Sequence, residues 1–149
     1  MLGKTHLVFG LFISLLGLTL FDIGNPIGFL FIVLFASLFP DIDEPHSYLG
    51  RKVKFIGWIF KHRGFFHSIV WMGLCMWIVY LLFHEGIYIM GFGVGFLGHL
   101  FLDLLTQAGL KTWPLPHLKG KIHVGSWVEM VFFWFLLVAN GYLVIKGGL

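Results

Sequence analysis

The chain has 149 residues, 58% of them hydrophobic and 11% charged, with a mean hydropathy of +0.92 and a formal net charge of +3. A soluble domain carries about a quarter charged residues, so this balance excludes an ordinary soluble protein and reads as one integral membrane domain over residues 1–149. The excess of Lys and Arg is no footprint of nucleic acid, because these residues sit between apolar segments, where they set orientation in a bilayer. The lone Cys75 excludes an intrachain disulfide.

Five apolar segments follow in order, at about 4–21, 27–39, 65–83, 87–105 and 124–145. A helix crosses the hydrocarbon with roughly 20 apolar residues, within a range of about 17 to 25. The third, fourth and fifth segments meet this length directly, and the first does so with its flanks. The second is short for a span. Helices are the expected form because lipid cannot satisfy backbone N–H and C=O groups. The fold expected is therefore all-α, a helical bundle of about five membrane segments. The first segment is read as a retained helix. It lacks a small-residue cleavage site and carries the polar pair Thr5-His6 near its start.

Short turns at 22–26, with Asn25-Pro26 as a breaker, and at 84–86 join neighbouring segments. Two connections are long, 40–64 and 106–123. Lys4, five basic residues of the first long loop and three of the second lie on one side; only Lys146 lies on the other. The positive-inside rule puts the N-terminus and both long loops in the cytoplasm and the C-terminus outside. Residues 51–64 mix Arg51, Lys52, Lys54, Lys61 and Arg63 with Phe55, Ile56, Trp58, Ile59 and Phe60. That composition suits an amphipathic segment along the headgroups. Gly91, Gly93, Gly95 and Gly98 in the fourth segment allow close helix packing.

Residues 40–67 hold three of the seven carboxylates, three of the eight histidines and five of the ten Lys/Arg, so chemistry is to be sought there first. On this topology His6, Asp41, Asp43, His62, His67, His99, Asp103, Thr106 and Glu129 all fall at the cytoplasmic ends of their segments. His99 and Asp103 are four apart and share a helix face. A charged Asp inside a span costs at least about 2.5 kcal/mol, which a bound cation offsets. Imidazole and carboxylate are the usual zinc donors, and the absence of a Cys cluster argues against a closed structural zinc site. A metal with an open position polarises a phosphoryl or carbonyl oxygen and lowers the pKa of bound water to about 7.

Each residue also has a simpler reading. Asp41 and Asp43 fit a turn that ends a helix. His6 fits an interface histidine, and His62 with Arg63 fits headgroup contact. Glu129 fits an ion pair with Lys121 or Arg63. His46, His117 and His123 lie in loops.

Thr5-His6, Pro40-Asp41-Ile42-Asp43, His62-Arg63-Gly64-x-x-His67-Ser68, Gly98-His99-x-x-x-Asp103-x-x-Thr106 and Trp113-Pro114 together resemble the signature of the YdjM-like family of inner-membrane metal-dependent hydrolases. That family is distantly similar to zinc-dependent phospholipases C and related zinc nucleases. The resemblance implies a phospholipase C-like helical core and a zinc site of one to three ions. It implies ligation by His6, by Asp41 or Asp43, and by His67, His99 and Asp103, with Glu129 as a late ligand.

The expected activity is hydrolysis of a phosphate ester, with membrane lipids as partners and a lipid headgroup as substrate. One of Asp41 and Asp43 would orient or deprotonate the attacking water, and Arg63 would hold phosphate in its planar fork. The alternative is a non-enzymatic membrane protein that binds metal or handles ions or protons. A transport route of that kind should continue outward through polar residues.

Overall fold

The computed structural model describes residues 1–59, 63–110 and 117–147. His62, Trp113 and Pro114 lie outside these. Among the described residues six α-helices follow one another: α1 Gly3–Leu20, α2 Pro26–Leu38, α3 Lys54–Ile59, α4 Ile69–Phe83, α5 Gly86–Leu104 and α6 Trp127–Gly147. Among the described residues there is no β-strand, only isolated bridges between Thr106 and Ile122 and between Leu110 and Leu118.

Among the described residues four stretches are long and apolar enough to cross a membrane: Gly3–Leu20, Pro26–Asp43, Gly86–Leu104 and Trp127–Gly147. The second reaches that length because a 3-10 turn, Phe39–Asp43, continues α2 without a break. The segment expected at 65–83 comes out shorter than its apolar run. Phe65–His67 forms its own 3-10 turn, and α4 begins only at Ile69, with 15 residues. The break falls at Ser68, which is extended and whose hydroxyl accepts from Trp71 N–H at 3.0 Å as the N-cap. Among the described residues, the amphipathic stretch expected at 51–64 has the end of a 3-10 turn, Gly50–Lys52, and the six-residue α3, whose Phe55, Trp58 and Ile59 are exposed.

The turn between α1 and α2 works as its residues suggest. Asn25 caps α2 by accepting from Gly28 N–H at 2.9 Å, and Pro26 occupies the first helical position.

α5 is the axis of the bundle. It packs on α2, α1 and α4, and α6 lies against α1. Its glycines explain the packing. A Cβ at Gly95 would strike the Val33 carbonyl of α2, one at Gly91 would press on Ile32, and one at Gly98 on Ile13. The backbones of α2 and α5 therefore approach more closely than side chains would permit. Phe92, Phe96 and Leu100 of α5 fill the core with Ala36, Cys75 and Val79. This close approach carries the C-terminal ends of α2 and α5 to one place, where the polar residues collect.

Candidate metal centre

Asp41, His67, His99 and Asp103 meet there. Each offers one ligand atom, and the four atoms lie within 4.8 Å of one another. Three elements supply them: the 3-10 turn after α2, the 3-10 turn before α4, and the last two turns of α5. His67 Nε2 is 3.3 Å from His99 Nε2, and Asp41 Oδ1 is 3.5 Å from both nitrogens. Asp103 Oδ2 completes the group at 3.7 Å from His67 Nε2 and 3.8 Å from His99 Nε2. Donors bound tetrahedrally at about 2.0–2.1 Å stand about 3.3 Å apart, so the first three form one face of such a site.

The protons agree with this geometry. His99 Nδ1 is 2.8 Å from the Ser37 carbonyl, which can only accept, so Nδ1 carries the hydrogen and Nε2 turns its lone pair to the centre. Asp43 Oδ2 stands 3.6 Å from His67 Nδ1, on the side of the ring away from the centre. A carboxylate behind a histidine is the usual support for a metal ligand. Burial opposes a charge on His67, but Asp41 and Asp43 outweigh it and push its pKa up to about 9. Asp41, Asp103 and His99 thus bring three acceptors toward a single imidazole nitrogen. A cation between them satisfies all four groups, so these residues fit a divalent metal.

His6 is not one of the four. Its ring stacks on His99 at 3.9 Å between centroids, and Nε2 lies 3.4 Å from the other oxygen of Asp103. Among the described residues neither ring nitrogen of His6 has a hydrogen-bond partner, although the residue is buried. The Met1 amine donates to the same Asp103 oxygen at 2.7 Å.

Two expectations change. Glu129 does not join the group. Its carboxylate accepts from Leu2 N–H at 2.6 Å, the Thr5 hydroxyl at 2.8 Å and Gly125 N–H at 2.7 Å. It ties the start of α6 to the first turn of α1, and neither Lys121 nor Arg63 is paired with it among the described residues. Arg63 points inward rather than out to a ligand. It takes a left-handed backbone with φ 62°, its Nε faces Asp103 Oδ2 at 3.4 Å, and its Nη1 donates to the Gly109 carbonyl at 3.3 Å. The reason is the buried Asp103 charge, which needs a cation close by.

The loop histidines stay outside. His46, His117 and His123 are exposed; His117 lies 3.1 Å from the Ala108 carbonyl and His123 2.8 Å from Gln107. Sequence reasoning missed the Ser37 carbonyl, a backbone group that leaves no signal. It also left open which of Asp41 and Asp43 faces the centre. The alternation across Asp41-Ile42-Asp43 marks two carboxylates in one turn without saying which points where.

The centre opens on one side, to a cavity of about 340 Å³ lined by Asp41, Ser47, Tyr48, Arg51 and Arg63 among others. Asp41 is the most accessible of the four, with 14% of its side chain exposed against 0–2% for the rest.

No solved structure matches the chain. The inner membrane proteins YdjM of Escherichia coli and of Shigella flexneri are each 37% identical to it over 91 residues, 54% of this chain and 46% of theirs. The chain's match thus spans about half the length of these curated relatives. Protein YvsG of Bacillus subtilis is 30% identical over 115 residues, 74% of this chain and 71% of its own. The profile of the YdjM inner membrane protein family matches residues 1–147, and the chain, with its several apolar helices, belongs to that family.

Proposed function

We propose that the chain is a zinc-dependent hydrolase of phosphate esters that acts on phospholipid or lipid-phosphate headgroups at the cytoplasmic face of the inner membrane. The observation that carries this reading is the convergence of Asp41, His67, His99 and Asp103 beside an open cavity. Two imidazoles and two carboxylates are a zinc donor set, and a catalytic site additionally keeps a coordination position for water, which the cavity side of Asp41 could supply. Zinc held there supplies a Lewis acid and an acidified water.

The remaining steps belong to side chains. Asp41, on the cavity side, would orient water and accept its proton with the carboxylate oxygen that does not face the two imidazoles. Asp43 stands behind the ring of His67, where its charge would orient the imidazole, and the Ser37 carbonyl holds the ring of His99. Arg63 balances the charge of Asp103. His6 lies against the opposite oxygen of Asp103, where a further ion would have to bind. A helical core of the phospholipase C kind, with the nine basic residues on the cytoplasmic side, completes the reading.

The alternative of an ion path is weakened by what lies beyond the centre. Past His99, the core that α5 shares with α4 is Phe92, Phe96, Val79 and Cys75, although Ser14 of α1 and Asn140 of α6 are buried polar groups. The cavity at the far end is lined by Ile13, Leu16, Leu20, Phe29, Met90 and Val94, with Asp22 as its one ionisable group. An ion or proton route needs polar groups through that layer.

The test is hydrolysis of a panel of phosphatidic acid, phosphatidylglycerol and lipid pyrophosphates by the purified full chain in lipid discs. Release of phosphate or a phosphorylated headgroup with zinc, and its loss with chelator and in His99→Ala/Asp103→Ala, is the expected result. A zinc-loaded protein that leaves the whole panel intact contradicts the proposal.

A further inference from the structure

The cavity beside the centre contains two guanidinium groups, and only one is available. Arg63 is turned inward onto Asp103 and the Gly109 carbonyl. Arg51 is exposed, and among the described residues its side chain makes no hydrogen bond or ion pair; its guanidinium carbon lies 5.4 Å from the centre of the Tyr48 ring. A guanidinium drawn to an aromatic ring by a cation–π contact spends no N–H donor on it, so its donors remain for an anion.

The loop that bears Arg51 is fastened to the metal centre. The Ser47 hydroxyl donates to the Asp41 carbonyl at 2.6 Å and accepts from Gly50 N–H at 2.8 Å. Arg51 N–H then donates to the Ser47 carbonyl at 3.3 Å. The turn is tight, since a Cβ at Gly50 would collide with the Glu44 carbonyl. Arg51 and Asp41 are therefore joined by a short hydrogen-bonded path and line the same cavity.

We propose that Arg51, in cation–π contact with Tyr48, is the residue that recognises the anionic phosphate group of the substrate. Its N–H edge takes phosphate oxygens while the reacting side of the group faces Asp41. The cavity's 340 Å³ is near the lower end of small-molecule sites, which run from roughly 300 to 1,000 Å³. It admits a phosphorylated headgroup and leaves acyl chains outside. This assignment rests on reading the four-residue group as a hydrolytic metal centre for its chemistry, but the anion contact is measurable apart from the metal.

The experiment measures binding of inorganic phosphate to the full chain by calorimetry, in wild type, Arg51→Ala and Arg51→Lys, with metal content determined on each sample. Charge-assisted hydrogen bonds of this kind are worth about 1.5–3 kcal/mol, or about 10–100-fold. Arg51→Ala is expected to weaken phosphate binding by that factor with metal content unchanged, and Arg51→Lys to fall between. Equal phosphate affinity in wild type and Arg51→Ala, or no phosphate binding by wild type, overturns the role of Arg51 whatever the metal content. Metal-free samples that still show the Arg51 dependence uphold the anion site and sink the metal reading instead. A second arm repeats the titration in phosphatidylcholine discs with and without phosphatidic acid. Competition by the lipid identifies a headgroup as the source of the phosphate, and its absence a water-soluble ester.

Discussion

Asp43→Asn separates two effects that one carboxylate has on His67. Asp43 Oδ2 lies 3.6 Å from His67 Nδ1. A carboxylate in that position orients the ring and strengthens it as a ligand, and removing such a partner weakens metal binding by about 10–100-fold. The same carboxylate helps to hold a proton on His67, whose pKa stands at about 9 against an ordinary 6.5. That proton must leave before the imidazole coordinates. Each pH unit below the pKa costs about a factor of ten, so at pH 7 the competition weakens wild-type zinc binding by about 100-fold. Wild-type affinity should therefore climb about tenfold per pH unit and level off near pH 9.

In the variant the two effects oppose each other. Above about pH 9 no proton competes, and only the loss of orientation remains, a deficit of about 10–100-fold. Near pH 7 the variant's His67 carries its proton less often, and the deficit shrinks. Competition with a chromophoric zinc chelator, run on both proteins across this pH range, reads the result directly. Asp43→Asn should show a flatter pH profile than wild type. Two parallel profiles would refute it, since Asp43 would then have no hold on the His67 proton.

Further outcomes follow from the same geometry. Glu129→Gln should leave zinc affinity within about threefold of wild type and lower stability to denaturant by about 1–3 kcal/mol, because one of its backbone donors would then face an amide N–H; a large loss of zinc would restore Glu129 to the ligand set. Gly95→Ala should destabilise by about 1–3 kcal/mol, since its Cβ meets the Val33 carbonyl, while Gly73→Ala, with open space around it, should be neutral or slightly stabilising. Equal effects at the two positions in denaturant melts would contradict the close α2–α5 approach. In metal-free protein the raised pKa of His67 adds stability that is complete below about pH 6.5 and fades as pH rises through about 9. Melting temperatures in chelator should fall over that window, and less so in His67→Gln.

Much of this architecture was legible in the residues themselves. The lengths of the apolar runs located α1, α5 and α6 to within a few residues, because a span has a minimum length. His99 and Asp103 declared a shared face through helical spacing. The glycines of α5 pointed to close packing, and Gly91, Gly95 and Gly98 do meet α2 or α1. What the sequence could not show depends on loops and on long-range partners. α4 is shorter than its hydrophobic run because the backbone must turn to aim His67 inward before Ser68 caps the helix. Hydropathy sees the phenylalanines at 65 and 66 and counts them into the span. Residue type suggests a metal or phosphate for Glu129 and Arg63, but Glu129 binds backbone groups, among them that of Leu2 at the far end of the chain, and Arg63 faces a buried carboxylate on α5. Only tertiary structure decides such pairings. The choice between Asp41 and Asp43 had the same origin. In a 3-10 turn, residues two apart point different ways, and one became a ligand candidate while the other came to support His67.

The central claim is that Asp41, His67, His99 and Asp103 hold one metal ion in common. Metal content per chain, measured by plasma mass spectrometry on the full protein from zinc-replete cells, tests it most directly when wild type is set beside His67→Ala and His99→Ala. At least one equivalent of a divalent metal in wild type, reduced in step in both variants while their helicity is retained, is the result this structure predicts. Metal-free wild type, or metal retained in full by both folded variants, would contradict it.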